Sequence, residues 1–173
     1  MNIERALNIE GWMSEPELIW LAEQASRHAV IVELGSHLGR STCAIAENTE
    51  GVVFAIDTWA GYDELPMFQF EIDSLLPRFK NNLKDYIANG RCVPIIADHA
   101  AAPPVQRAEM VFIDGSHTYE NARRDIIQWL PHCSGLICGH DYDLEDVQRA
   151  VADTLGNVDV VPGTNIWWKN VVQ

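Results

Sequence analysis

The feature that most constrains the fold of this chain is an apolar run that ends in a glycine turn and continues into a helix. Residues 29–34 are mostly apolar and include three β-branched residues, Gly35 and Gly39 bracket the turn, and residues 41–47 follow with a helical pattern. Residues 51–57 form a second apolar run that hardly alternates, which is typical of a strand buried on both faces. This order of elements predicts a parallel sheet covered by helices.

Strand and helix patterns continue to alternate along the rest of the chain. Further strands are predicted at residues 92–97, 110–113 and 136–138, and further helices at residues 119–130 and 144–155. The last two strand candidates, residues 158–161 and 166–171, flank a Pro-Gly-Thr-Asn turn. We therefore expect an α/β fold with helices on both faces of the sheet and an antiparallel C-terminal hairpin.

The 173 residues are expected to form one domain that begins with a helical segment over residues 1–28. Ser14, Pro16 and Glu17 have the spacing of a helix start with a capping box, and the apolar pattern then continues to about Arg27. A second helical pattern covers residues 62–88, and we expect Pro66 and Pro77 to divide it. Residues 62–77 are a candidate flap.

Charge and composition exclude several classes of function. The formal net charge of −13 argues against nucleic acids and anionic membranes as partners, because both require clustered Lys and Arg. No apolar run is long enough to span a bilayer and no leader pattern starts the chain, so a cytoplasmic location is expected. The four cysteines form no CxxC pair and are predicted to be reduced core residues.

The glycine turn and a later acidic residue predict a site for a ribose-containing cofactor. Ligands of open α/β sheets bind at the carboxyl ends of the strands, where Gly35 and Gly39 allow close approach of the backbone. Asp57 ends the second strand, where a carboxylate accepts hydrogen bonds from ribose hydroxyls. The glycine spacing matches neither the dinucleotide GxGxxG pattern nor a P-loop, which disfavours nicotinamide, flavin and nucleoside triphosphate binding.

Four ordered segments resemble the successive motifs of class I S-adenosylmethionine-dependent methyltransferases. They are Val-Glu-Leu-Gly-Ser-His-Leu-Gly-Arg-Ser-Thr at 32–42, Ile-Asp-Thr-Trp at 56–59, Phe-Ile-Asp-Gly-Ser-His-Thr-Tyr at 112–119 and Gly-His-Asp-Tyr at 139–142. The chain is most similar to the branch with macrocin-type O-methyltransferases and cephalosporin-hydroxylase-like proteins. The resemblance implies a Rossmann-like, seven-stranded, three-layer αβα sandwich with a reversed final strand.

The same resemblance implies S-adenosylmethionine as the cofactor. Asp57 would hold its ribose, and Asp98 and His99 match positions that contact adenine in such enzymes. The complete set of implied cofactor residues is Glu33, Gly35, Ser36, His37, Gly39, Ser41, Thr42, Asp57, Thr58, Trp59, Asp98, His99 and Asp114.

Carboxylates and imidazoles follow two neighbouring predicted strands. Asp114 and His117 follow one strand, and His140, Asp141 and Asp143 follow the next, so all five should gather at the cofactor edge of the sheet. Methyl transfer to a hydroxyl requires removal of its proton. His117 or His140, with Asp141, would supply a catalytic base.

A divalent metal is the alternative means of activating the hydroxyl. Asp114, Asp141 and His140 are the candidate ligands, for Mg²⁺ or for manganese, iron or zinc. His140 departs from the branch, in which a paired acidic residue is common at this position. In a purely structural interpretation, Asp114 would cap the following helix and both histidines would bind backbone groups.

The leading functional hypothesis is O-methylation of a small hydroxylated metabolite. The alternatives are metal-dependent hydrolase or oxygenase chemistry on the same scaffold and a non-catalytic S-adenosylmethionine-binding module. Trp167 and Trp168 lie in the last predicted strand, so one indole should face the core and the other the surface. An exposed tryptophan there would suit a homodimer contact.

Overall fold

A computed structural model describes residues 1–61 and 72–171 of the chain, and these ranges contain a mixed sheet flanked by helices. The strands are β1 (Val30–Leu34), β2 (Val52–Asp57), β3 (Cys92–Ile96), β4 (Ala108–Ile113), β5 (Cys133–Gly139), β6 (Asp159–Val160) and β7 (Trp167–Asn170). The helices are α1 (Glu4–Leu7), α2 (Glu15–Ala25), α3 (Arg40–Asn48), α4 (Ile72–Asn82), α5 (Lys84–Ala88), α6 (Tyr119–Trp129) and α7 (Glu145–Leu155).

The strands form one sheet in the order β3-β2-β1-β4-β5-β7-β6. The first five strands of this order pair in parallel, whereas β7 runs antiparallel to both β5 and β6. The Rossmann-like, seven-stranded sheet and its antiparallel C-terminal hairpin are therefore confirmed. The strand order reverses between β1 and β4, so a crevice is expected outside the carboxyl ends of these strands.

Two buried layers of apolar side chains cover opposite faces of the sheet. Alternation along β1 sends Ile31 into the layer that contains Leu18 and Phe79, and sends Val32 into the layer that contains Trp129. Both faces of β1 are therefore buried, which explains why the sequence of this strand is almost continuously apolar. The result is the predicted three-layer sandwich.

A capping box starts α2 in the N-terminal segment, and an arginine joins this segment to α3. Glu17 accepts hydrogen bonds from the backbone N–H of Ser14 at 2.7 Å and from its hydroxyl at 2.8 Å, so α2 starts as predicted. Arg40, at the start of α3, donates to the carbonyls of Met13 at 2.9 Å and Ile9 at 2.7 Å. Residues 9–14 therefore lie against the helix that follows the glycine turn.

The prediction that Pro77 divides the second helical pattern is wrong. Pro77 lies inside α4, and the break between α4 and α5 falls at Leu83. Burial of Leu75 and Phe79 on the core side of α4 outweighs the local cost of a proline in the helix. Pro66 and residues 62–71 of the candidate flap lie outside the described residues.

The terminal tryptophans differ from the expected core and surface pair. Trp167 is 2% exposed in one core layer, and Trp168 is half-buried against the other, because both faces of the sheet are covered. All four cysteines are free and buried, as predicted. Across residues 1–61 and 72–171, every helix is too short or too polar to cross a membrane.

Replacing Trp167 with alanine should destabilise the fold by about 3–5 kcal/mol, because it would leave a large cavity in the core layer that contains Trp129 and Val151. Trp12 is 62% exposed, so Trp12→Ala should cost less than about 1 kcal/mol. Urea denaturation of both variants checks this difference. Equal losses of stability would contradict the described packing.

Candidate active site

The glycine turn between β1 and α3 has a backbone shape that side chains rarely adopt. Gly35 and Gly39 have φ angles of 86° and 90°. A Cβ atom on Gly35 would lie 2.0 Å from the carbonyl oxygen of Asp114, so the end of β1 closely approaches the end of β4. Glycine is required at this position because the turn and the close approach coincide.

Asp57 holds this turn in place from the end of β2. Its Oδ2 atom accepts hydrogen bonds from the backbone N–H groups of Ser36 at 2.9 Å and His37 at 2.8 Å. Its Oδ1 atom accepts from the N–H of Trp59 at 2.7 Å, and the Trp59 indole donates to the carbonyl of His37 at 2.7 Å. Asp57 therefore organises the turn and is also positioned at the cofactor edge.

Glu33 is a fully buried carboxyl beneath the turn. Its Oε2 atom accepts hydrogen bonds from the hydroxyls of Ser36, at 2.6 Å, and Thr42. Its Oε1 atom is buried without a hydrogen-bond partner in the described part of the chain. Burial raises the pKa of Glu33 to about 7, although these hydroxyls favour the charged form. Glu33 thus links β1, the turn and α3 from below.

A cleft of about 380 Å³ opens at the carboxyl ends of β2, β3 and β4. This volume is within the range of small-molecule sites. The cleft is lined by Gly35, Asp57, Thr58, Gly61, Asp98, His99, Gly115, Ser116, Asn121, Arg124 and Asp125. The strand ends predicted to hold the cofactor therefore surround one open space.

The predicted cofactor residues divide into three groups. Five of them line the cleft: Gly35, Asp57, Thr58, Asp98 and His99. Seven shape or support the glycine turn: Glu33, Ser36, His37, Gly39, Ser41, Thr42 and Trp59. Asp114 lies on the neighbouring cluster of carboxylates and imidazoles.

Sequence patterns missed four polar residues of the cleft, of which Asp125 is the most deeply buried. Its carboxylate is 1% exposed, lies 2.7 Å from His99 Nδ1 and accepts from Arg124 Nε and Nη2 at 3.2 Å each. Asp125 falls on the buried stripe of α6 with Ala122, Ile126 and Trp129. The sequence signal that could have identified Asp125 is a carboxylate among apolar residues on one helix face, because a buried charge requires a polar or charged partner.

The ends of β4 and β5 bring together the predicted Asp and His residues. His117 Nε2 lies 2.9 Å from Asp141 Oδ2, and His140 Nδ1 lies 3.0 Å from Asp141 Oδ1 and 3.7 Å from Asp114 Oδ1. Asp141 has a φ angle of 57°, a strained conformation of the kind that clusters at functional sites. Asp143, the fifth member expected here, is exposed.

Glu17 completes this cluster from the N-terminal helix. Its Oε1 atom lies 3.0 Å from His140 Nε2 and accepts a 3.0 Å hydrogen bond from the N–H of Asn165. Sequence analysis indicated Glu17 only as a helix cap, because its contacts with residues 140 and 165 depend on the tertiary fold. The cluster is thus a chain of contacts from Glu17 through His140 and Asp141 to His117.

Charge compensation governs the protonation of the cluster. Burial disfavours a charge on His140, but hydrogen bonds to Asp141 and Glu17 raise its pKa to about 11. Burial would raise the pKa of Glu17, but hydrogen bonds, the largest from His140, lower it to about 2. Burial would also raise the pKa of Asp141, but hydrogen bonds from His117 and His140 hold it well below its usual range. Burial raises the pKa of Asp114, and the charge of Asp141 adds to this effect.

The purely structural interpretation of these residues is wrong in two respects. The N-cap of α6 is Thr118, whose hydroxyl accepts a 3.4 Å hydrogen bond from Asn121 N–H, so Asp114 does not cap this helix. The imidazoles of His117 and His140 contact carboxylates. Gly115 and Ser116 line both the cleft and the small cavity beside this cluster, so the two sites are contiguous.

Comparison with known proteins identifies a family and several similar folds. The family described as "Methyltransferase domain" matches residues 32–142, which is more than half of the chain. An O-methyltransferase from Bacillus cereus, solved in complex with SAH, superposes with a TM-score of 0.68 at 15% identity, covering 99% of this chain and 90% of that one.

Two further solved structures show the range of proteins that share the fold. A SAM-dependent O-methyltransferase from Thermotoga maritima has a TM-score of 0.69 at 10% identity, covering 99% of this chain and 71% of that one. An RNA methyltransferase from Salinibacter ruber, in complex with S-adenosyl-L-homocysteine, has a TM-score of 0.64 at 14% identity, covering 94% and 95%. Methyltransferases named for different acceptors thus share this fold.

Glu33→Gln should change the pH dependence of stability. The folded state raises the pKa of Glu33 from 4.5 to about 7, so its contribution to stability is fully present below pH 4.5 and is lost as the pH rises through 7. Glutamine cannot ionise, so the variant should lack this loss. Urea denaturation between these two pH values measures it, and parallel pH profiles for the two proteins would show that Glu33 does not titrate there.

Proposed function

The chain belongs to a family of methyltransferase domains, and on this premise we propose that it transfers the methyl group of S-adenosylmethionine to a hydroxyl oxygen of a small acceptor. One observation carries this proposal: the cleft that Gly35 and Asp57 line is continuous, through Gly115 and Ser116, with a cluster that contains a half-exposed histidine. A methyl donor and a proton acceptor can therefore occupy neighbouring positions.

The residues of the cleft fit S-adenosylmethionine. Gly35 places the backbone of the turn at the wall of the cleft, and Asp57 adds a carboxylate at the end of β2. Three N–H groups occupy three of the roughly four acceptor positions of this carboxylate, which leaves capacity for a ribose hydroxyl. When bound, the cofactor supplies an electrophilic methyl group on a positively charged sulfur.

We assign the role of general base to His117. Its side chain is 39% exposed, compared with 9% for His140, so His117 is the imidazole of this pair that an acceptor can reach. Asp141 Oδ2 lies 2.9 Å from His117 Nε2, and a carboxylate partner of this kind stabilises the imidazolium that forms when a histidine takes the proton of an acceptor hydroxyl. His140 contacts Asp141 through Nδ1 and compensates its charge, and Glu17 contacts the other nitrogen of His140.

A small acceptor is favoured over a nucleic acid. The net charge of −13 repels a polyphosphate, and the described residues that line the cleft include Asp57, Asp98 and Asp125 against one arginine. The similarity to an RNA methyltransferase concerns the fold and carries no argument for an RNA acceptor. A hydroxyl on a compact metabolite suits the limited space beside His117.

Metal-assisted transfer is the second candidate, and one observation favours it. One ligand atom from each of Asp114, His140 and Asp141 lies within 4.8 Å of the others. The two carboxylates suit a divalent ion, but both His140 nitrogens already contact carboxylates, and a doubly protonated imidazole has no lone pair to donate. The proposed mechanism therefore uses no metal.

Asp57→Ala should weaken S-adenosylhomocysteine binding by at least about tenfold, because the cleft loses its ribose acceptor and the support for three loop N–H groups. Asp159→Ala removes an exposed carboxylate of β6 and should bind like the wild type. Calorimetric titration measures both affinities. If the wild-type protein binds neither S-adenosylhomocysteine nor S-adenosylmethionine, the proposal fails.

His117→Asn should slow methyl transfer by about a hundredfold to ten-thousandfold, since a general base contributes this much. His132→Asn, at another partly exposed histidine, should leave the rate unchanged. Mass spectrometry of S-adenosylhomocysteine formed with phenols, catechols and sugars measures the rate. Unchanged turnover in His117→Asn would refute its role as the base.

Metal addition separates the remaining alternatives in the same assay. Activity that persists in EDTA agrees with the His117 mechanism. The metal candidate would instead be favoured if EDTA abolishes the activity, if Mg²⁺ or Mn²⁺ restores it, and if Asp114→Asn removes it. If the cofactor binds tightly but no hydroxyl acceptor is turned over, a non-catalytic binding module is favoured. If product forms with a metal but without a methyl donor, hydrolase or oxygenase chemistry is favoured.

A further inference from the structure

One end of the cleft contains a histidine whose proton position is fixed by a buried carboxylate. Asp125 Oδ2 lies 2.7 Å from Nδ1 of His99, and the Asp125 side chain is 1% exposed. A carboxylate accepts but does not donate hydrogen bonds, so Nδ1 of His99 is the donor. In the neutral imidazole, the other ring nitrogen, Nε2, must then be a hydrogen-bond acceptor.

This acceptor is available to a ligand. His99 lines the cleft, and no residue within 1–61 or 72–171 makes a hydrogen bond with its Nε2 atom. Asp98, the preceding residue, also lines the cleft, and its half-exposed carboxylate is a second acceptor. Two adjacent acceptors are complementary to an amino group that donates two hydrogen bonds, and they repel a carbonyl oxygen.

We propose that Asp125 is a positioning residue that keeps the proton of His99 on Nδ1, so that His99 Nε2 and Asp98 select a ligand with an adenine-type exocyclic amine over its 6-oxo counterpart. The inference rests on the proposed function, because it assigns the base of S-adenosylmethionine to this end of the cleft. Asp125 acts through His99 and does not itself need to touch the ligand.

Arg124 makes an aspartate, rather than an asparagine, necessary at position 125. Asp125 Oδ1 accepts hydrogen bonds from Arg124 Nε and Nη2, while Oδ2 faces His99, so both oxygens are used. An asparagine has a single oxygen, and the charged guanidinium forms the stronger hydrogen bond with it. The amide NH₂ of Asp125→Asn would then face His99 Nδ1 and drive the proton to Nε2, which would convert the acceptor in the cleft into a donor.

The experiment compares two ligands that differ only at this group of the base, S-adenosylhomocysteine and S-inosylhomocysteine. Calorimetry measures the affinity of each ligand. The wild-type protein should prefer the amino ligand by about tenfold or more, since a mismatched buried polar group costs at least that much affinity. Asp125→Asn should lose or reverse this preference, and ¹⁵N NMR should show the His99 proton on Nε2.

A second variant and a control keep the test informative if Asp125→Asn folds poorly. His99→Asn retains an N–H donor near the position of Nδ1 but deletes Nε2, so the preference for the amino ligand should fall toward one. Asp85→Asn removes the charge of an ion-paired aspartate that does not line the cleft, and it should keep the wild-type preference.

Different failures have different meanings. Equal affinity of the wild-type protein for the two ligands would overturn this inference and leave cofactor binding intact. The same conclusion would follow if Asp125→Asn weakens the binding of both ligands equally while the His99 proton stays on Nδ1. If the wild-type protein binds neither ligand, the proposed function fails and the inference fails with it.

Discussion

The hydrogen bonds between the Asp57 carboxylate and three backbone N–H groups are the interactions on which the rest of the site depends. They join the end of β2 to the glycine turn after β1. This turn lies so close to the end of β4 that no side chain fits at position 35. Without this connection, the three strand ends would not form one wall of the cleft. A parallel sheet supplies the positions, and the carboxylate fixes the loop between them.

A second set of contacts extends the site beyond the sheet edge. Glu17 on α2 reaches His140 after β5, and His140 in turn contacts Asp141, which orients His117. The N-terminal segment therefore contributes a buried carboxylate to a cluster whose other members lie more than 95 positions later in the sequence. Because each charge in this chain has an oppositely charged or hydrogen-bonded neighbour, the cluster tolerates burial that an isolated carboxylate would not.

Local patterns predicted the sheet, the glycine turn, Asp57 and the Asp and His cluster, because each depends on residues that are close in sequence or that follow successive strands. They did not predict Glu17 and Asp125 as site residues, since both roles arise where helices pack onto strand ends. The prediction for Pro77 fails for a related reason. A proline in a helix costs a backbone hydrogen bond, which indicates a helix break, but burial of Leu75 and Phe79 keeps α4 continuous through this residue. The site roles of Glu17 and Asp125 and the continuity of α4 thus depend on tertiary packing, which local sequence patterns do not contain.

The most direct test of the central claim is a crystal structure of the protein with S-adenosylhomocysteine. The ligand should occupy the cleft, with a ribose hydroxyl at Asp57, the base beside Asp98 and His99, and the sulfur toward Gly115 and the His117 cluster. A ligand bound in this orientation would place the transferred methyl group next to the proposed base. Binding outside the cleft, or with the sulfur directed away from His117, would contradict the account.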